Sequence, residues 1–161
     1  MLRAGVVTIS TSKAAGEGAD ESGPLLAQLA ESLGAAVAAR ELLRDDRAAI
    51  EACLLRLCDV ERLSLVLTSG GTGVSPDDVT PEATLAVLER HIPGIPEAIR
   101  AISRPHTAHW MLARPLAGVR GSTLIVNLPG SPRAIEQTAA ELRPALAHAL
   151  ALIAGEAGAH S

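Results

Sequence analysis

The chain has no phenylalanine, no tyrosine and a single tryptophan among its 161 residues. A flavin ring or an unpaired base therefore has no aromatic platform to stack on, which argues against a flavoprotein and against a single-strand binder. Cationic charge is also scarce: 14 Lys and Arg against 18 Asp and Glu give a formal net charge of -4. Nucleic-acid affinity rests mainly on clustered Lys and Arg, so a small-molecule partner is expected and a nucleic acid is not. No apolar run approaches the roughly 18 residues that a membrane span requires. The opening M-L-R-A-G-V-V-T-I-S is too short in its apolar part for a secretory signal, and a cytoplasmic protein with no membrane partner is expected. Cysteine is limited to Cys53 and Cys58. Five apart on a predicted helix, they point about 140° apart around its axis and read as two reduced, structural thiols.

What is present is aliphatic. A chain of this length buries roughly two-thirds of the surface its unfolded form exposes, enough for one domain over residues 1–154, with G-E-A-G-A-H-S at 155–161 as a loose tail. Short β-branched or aliphatic runs predict strands at Arg3 to Ser10, Ala35 to Leu43, Ser64 to Thr68 and in S-T-L-I-V-N-L. Helical spacing predicts helices from Pro24 to Leu33, from Asp45 or Asp46 to Cys58, from Thr80 to His91, in P-G-I-P-E-A-I-R-A-I-S, and from Pro132 to Ala154. Thr80 is read as an N-cap with Pro81 behind it, and S-T-S-K-A-A-G-E-G-A-D-E-S-G as a polar loop. Alternating strands and helices predict an α/β three-layer sandwich around a mostly parallel sheet. Ligands in such sheets lie beyond the carboxyl ends of the strands. Three loops should converge there: R-D-D, T-S-G-G-T-G and L-P-G-S-P.

The glycine loop suits either of two roles, a tight turn or a cradle whose N–H groups meet phosphate oxygens. It is not a P-loop, since no G-K-[ST] follows. Asp77 and Asp78 stand just after it. Carboxylates beside an anion-holding loop make sense around a cation, and Mg²⁺ commonly takes one or two carboxylates plus substrate phosphates; Asp45 is the candidate second ligand. The alternative is structural, with Asp78 serving the start of the helix near Thr80 and Asp45 serving as an N-cap. His106 and His109 have metal-like spacing without further ligands and read as surface or structural residues. Trp110 suits an interface or a pocket wall.

The stretch T-S-G-G-T-G-V-S-P-D-D-V-T-P-E-A-T resembles the T-T-G-G-T-G…R-D-V-T-P-E-A-T signature of the MogA/MoaB family of molybdenum cofactor biosynthesis proteins, which includes the G domain of gephyrin. L-I-V-N-L-P-G-S-P-R-A is similar to the family's second signature, and V-V-T-I-S, D-E-S-G and P-G-I-P-E-A-I-R-A-I-S extend the resemblance over nearly the whole chain. The resemblance implies a molybdopterin-binding-domain fold, usually trimeric, and in its catalytic branch a Mg²⁺-dependent transfer of AMP from ATP to molybdopterin with release of pyrophosphate. A molybdenum insertase is the implied downstream partner. Position by position, Asp45 and Asp78 match the catalytic and metal-holding aspartates. Ser69, Gly70, Gly71, Thr72 and Gly73 match the ligand loop; Pro129, Gly130, Ser131 and Pro132 match the second pocket wall; Arg114 matches an anion contact. Four positions depart from the family pattern. Asp77 replaces an Arg, Ala113 a Ser, Arg133 a Lys, and Thr11 an Asp. The intact D-V-T-P-E-A-T favours the adenylyltransferase, with a non-catalytic MoaB-like binding protein as the alternative. The sequence does not choose between a molybdenum and a tungsten pathway.

Overall fold

The structure of the protein, a computed structural model, describes residues 1–156 and 158. The chain runs β1 (Leu2–Ile9), α1 (Thr11–Ala14), α2 (Ser22–Ser32), β2 (Ala35–Leu43), α3 (Arg47–Leu55), β3 (Leu65–Ser69), α4 (Thr80–Val87), β4 (Arg90–His91), α5 (Gly94–Ser103), β5 (Ala117–Arg120), β6 (Thr123–Leu128) and α6 (Pro132–Ile153). A π-turn at Arg56–Val60 extends α3, and a 3-10 turn spans Trp110–Leu112. The sheet order is β2-β1-β3-β6-β5-β4. β2, β1, β3 and β6 are parallel, while β5 pairs antiparallel with β6 and β4 antiparallel with β5.

Successive side chains on a strand face opposite ways, and the core divides accordingly. Val6, Leu65, Leu67, Leu124, Val126 and Leu128 pack under α2, α5 and α6. Val7, Ile9, Val66 and Ile125 pack under α3 and α4. The sheet is thus covered by helices on both faces, as the three-layer expectation requires.

Register then sets the place of the site. Ile9 pairs with Leu43, Thr8 with Ser69, and Ser69 with Leu128. The carboxyl ends of four parallel strands lie in a row, and each feeds a polar loop.

Several expectations are corrected. The S-T-S-K segment forms the one-turn helix α1, because Ser10 caps it by accepting a hydrogen bond from the Lys13 N–H. Thr80 is not an N-cap. Val79 occupies that position without a side-chain cap, and the Thr80 hydroxyl instead donates to the Gly70 carbonyl at 2.9 Å. His91 lies in β4 rather than in a helix, which ends at Val87 as Leu88 turns to extended backbone. The antiparallel β5–β4 edge escapes the sequence because A-G-V-R and R-H are too short to show a period. Ala157, Ala159, His160 and Ser161, within the expected loose tail, lie outside the described residues.

Both cysteines are buried and free. Burial pushes each thiol up to about 11, so neither is poised as a thiolate nucleophile near neutral pH.

Candidate functional site at the strand ends

The glycine loop leaves β3 with two successive residues in the left-handed region, Gly70 at φ +99° and Gly71 at φ +68°. A side chain is disfavoured in that region, and here there is also no room for one. A methyl on Gly70 would run into the carbonyl oxygen of Ile9, and one on Gly71 into the Thr80 hydroxyl and within 3.1 Å of Asp45 Oδ1.

This backbone exposes one kind of polar group and consumes the other. The carbonyl of Gly70 accepts from the Thr80 hydroxyl at 2.9 Å and that of Gly71 from the Thr80 N–H at 3.1 Å. The Thr72 carbonyl accepts from the Arg114 N–H at 2.8 Å, and the Gly73 carbonyl from Arg114 Nε at 2.8 Å. All four carbonyls are held from behind. The N–H groups of Gly71, Thr72 and Gly73 have no protein acceptor among the described residues. Gly71, Thr72 and Gly73 are half-buried, and a row of N–H groups without protein acceptors has the form that suits an anion.

Arg114 therefore has a different place from the one expected of an anion contact. Its Nη2 donates to the Asp78 carbonyl at 3.0 Å and its Nη1 to Glu82 Oε1 at 2.6 Å. The guanidinium ties together Gly73, Asp78 and the first turn of α4, and it holds the Glu82 carboxyl below its usual range. Lysine cannot make this three-way fork. Arg114→Lys should lower the melting temperature by about 6 °C, from a loss of about 2 kcal/mol in charge-assisted hydrogen bonds. Calorimetry against the wild type measures it.

The two candidate aspartates flank the loop. Asp78 Oδ2 accepts from the Ser75 N–H at 3.0 Å and lies 2.7 Å from where a Gly73 methyl would sit. It closes a turn before the helix instead of capping α4. Asp45 is not a cap either, since Asp46 caps α3 through the Ala49 N–H at 3.0 Å. Asp45 is held by Thr11 in a two-way clasp. The Thr11 hydroxyl and N–H donate to Oδ2 at 2.8 and 3.2 Å, and the Asp45 N–H donates back to the hydroxyl at 3.0 Å. The clasp leaves Oδ1 on the Gly71 side.

The third loop completes the wall. Gly130 packs on Gly70, with an added methyl only 3.5 Å from the Gly70 Cα. Ser69 is buried and spends its hydroxyl on the Pro129 carbonyl at 2.8 Å, so it joins the two loops. Ser131 caps α6 by accepting from the Ala134 N–H at 3.2 Å, with Pro132 as the first helical residue. A cavity of about 380 Å³ lies between these loops and the start of α2, lined in part by Ser10, Asp20, Ser69, Gly70, Gly130 and Pro132. That volume falls in the range of small-molecule sites.

Family membership follows from comparison. The family described as "probable molybdopterin binding domain" matches residues 5–148. The chain belongs to this family, in its MogA/MoaB group. It is 40% identical over 139 residues to the molybdopterin adenylyltransferase of Escherichia coli K12, covering 85% of this chain and 71% of that protein. It is 39% identical over 115 residues to the molybdopterin adenylyltransferase of Helicobacter pylori J99, covering 71% of this chain and 65% of that protein. The chain thus spans less than two-thirds of the length of the H. pylori relative. The crystal structure of the molybdopterin biosynthesis enzyme MoaB from Thermus thermophilus superposes with a TM-score of 0.89 at 40% identity, covering 97% of this chain and 98% of that one.

Some contributors to the site go unread in the sequence. Asp20 accepts from the Ser22 and Gly23 N–H groups at 3.1 and 3.0 Å and from the Thr8 hydroxyl at 3.0 Å, pinning the start of α2 beside the cavity. Its signal was the D-x-S-G pattern ahead of a helical run. Asn127 is buried in β6 and fully engaged: its amide donates to Thr68 and Thr84 at 2.9 and 3.1 Å, and its oxygen accepts from the Leu116 N–H at 3.0 Å. It joins β3 and α4 to the segment that carries Arg114, and a lone Asn in an apolar strand was its only trace. Trp110, half-buried, carries the Arg104 guanidinium 5.5 Å over its ring.

Proposed function

We propose that the protein is a molybdopterin adenylyltransferase, transferring AMP from ATP to molybdopterin in cofactor biosynthesis. The observation that carries this reading is the glycine loop, whose carbonyls are all bound from behind while its N–H groups face no protein acceptor among the described residues. In the reaction a phosphate oxygen of molybdopterin attacks the α-phosphorus of ATP, the bond to the β-phosphate bridge breaks, and pyrophosphate leaves. Two anions must meet, so catalysis is mostly positioning and charge neutralisation. The loop N–H groups hold phosphate oxygens, the Asp20 turn fixes the far wall, and the Gly130 loop closes the cavity.

Asp45 and Asp78 are the residues that would hold Mg²⁺. Two hard carboxylates with no third His, Cys, Asp or Glu grouped beside them among the described residues suit an ion that keeps waters and substrate oxygens as its other ligands. Held by these two carboxylates, Mg²⁺ would supply positive charge to offset that of the leaving pyrophosphate. Thr11 keeps Asp45 aimed at the loop. Thr11→Val should raise the Mg²⁺ concentration for half-maximal activity about tenfold, the worth of one hydrogen bond to a charged group, with Thr11→Ser near wild type; a magnesium titration checks it.

The trimer rests on the family resemblance; Leu85, Met111 and Leu112 are apolar side chains exposed on the single chain. Leu85 lines a second, mostly apolar cleft of about 470 Å³ that continues to Ala113. Light scattering would give the mass in solution. No helix among the described residues is long and apolar enough to cross a membrane, and we place the protein in the cytoplasm, with a molybdenum insertase as consumer of its product. Pyrophosphate release from Mg·ATP, measured with and without molybdopterin, tests the reading. Release that requires molybdopterin supports it. Ligand binding without release would favour a non-catalytic carrier, the reading to which Asp77 in place of the family's Arg lends weight.

A further inference from the structure

Five carboxylates surround the candidate site. Asp20 and Glu21 line the cavity, Asp45 and Asp78 flank the glycine loop, and Asp77 is exposed beside it. An anionic substrate entering there needs positive charge. Arg114 is committed to Gly73, Asp78 and Glu82. Arg133 lines a different cleft, with Ser103, His106 and Gln137. Asp77 stands where the family has a cation.

One basic side chain does line the cavity, Lys13 on α1. It is the only lysine in a chain with 14 basic residues. It is half-buried, with Nζ over the Gly18 backbone, 2.8 Å from where a methyl on that glycine would sit. No carboxylate lies within ion-pair distance of it among the described residues. A lysine that caps nothing, pairs with no carboxylate and borders a cavity lined by Asp20 and Glu21 supplies the positive charge an anionic ligand needs there. Its ammonium is a compact point charge with three donors, able to meet a phosphate from several directions.

We propose that Lys13 is a phosphate-binding residue of this pocket, supplying from α1 the charge that position 77 does not. The inference rests on the adenylyl-transfer reading for the presence of phosphate ligands. The phosphate belongs either to ATP or to molybdopterin, and separate titrations tell which.

Calorimetric titration of the full chain with Mg·ATP, with molybdopterin and with adenosine tests it, using wild type, Lys13→Met and Lys13→Arg. Lys13→Met should weaken binding of one phosphate ligand by about 10- to 100-fold, the scale of a charge-assisted contact, while adenosine binding stays unchanged and Lys13→Arg retains most of the affinity. Loss for Mg·ATP alone puts the contact on the nucleotide; loss for molybdopterin alone puts it on the pterin phosphate. Unchanged affinity for both ligands, an equal loss for adenosine, or failure of Lys13→Arg to restore binding would overturn the proposal. A wild type that binds neither phosphate ligand would sink the adenylyl-transfer reading and this inference with it, a result distinct from the others. Should the Met variant not fold, the unmodified chain still decides. Lys13 is its only side-chain amine, so acylation mapped by mass spectrometry should be blocked by the phosphate ligand and not by adenosine, and blocking by neither ligand overturns the proposal.

Discussion

Asp78→Asn should abolish adenylyl transfer, by about three orders of magnitude or more, while leaving the melting temperature within about 2 °C of wild type. The two halves of this result have separate causes. Asparagine keeps a carbonyl oxygen that can accept from the Ser75 N–H, the bond that Asp78 makes at 3.0 Å to close its turn, so the local fold has little to lose. What disappears is the negative charge beside the glycine loop. A metal held by two carboxylates that loses one of them forfeits several kcal/mol of charge stabilisation, and about 4 kcal/mol corresponds to a thousandfold in rate. Steady-state pyrophosphate release and a thermal melt on the same preparation measure both halves. Full activity in the variant would remove Asp78 from the proposed metal site. An inactive variant that also melts far below wild type would return Asp78 to a structural role.

Gly70→Ala should be the most destabilising single methyl in the chain, at about 3 kcal/mol or more and roughly 10 °C in melting temperature. Backbone conformation contributes first, because alanine at φ +99° is strained. Space contributes more. The added methyl would strike the carbonyl oxygen of Ile9 on β1, and main chain in the middle of a parallel sheet cannot swing aside as a side chain can. β1 and β3 would have to separate at the end where Thr8 pairs with Ser69. Gly94→Ala is the control. That glycine opens α5 with φ outside the left-handed region and open space around it, and the change should stay within about 0.5 kcal/mol. Denaturant titration of both variants reads the contrast.

Much of the fold is legible in the sequence. Spacing places β2 to the residue, and β1, β3 and α6 within one, since each is an aliphatic or periodic run with punctuation at its ends. The convergence of R-D-D, T-S-G-G-T-G and L-P-G-S-P was legible as well, since parallel strands bring their carboxyl ends to one edge. Partners were not. Thr11 reads as a departure from a family aspartate, and only the fold turns it into the clasp on Asp45. Arg114 reads as a cation awaiting an anion, yet three of its N–H groups already go to the Gly73 and Asp78 carbonyls and to Glu82. Thr80 has the profile of an N-cap, but its hydroxyl reaches back ten residues to Gly70, a pairing that depends on how the loop folds under α4. Spacing identifies which residues share an edge; it does not say which of their atoms are already spent.

The cavity draws its lining from Thr8 in the first strand to Pro132 at the head of the last helix, and that span decides what a bound ligand protects. A fragment missing either end has no site, so binding is coupled to the whole cooperative unit rather than to one mobile segment. At a hundred times its dissociation constant, a ligand adds about 2.7 kcal/mol to the global unfolding free energy. In hydrogen exchange the slowing should therefore reach the amides of β1, β3 and β6 that open only by complete unfolding, including those far from the ligand.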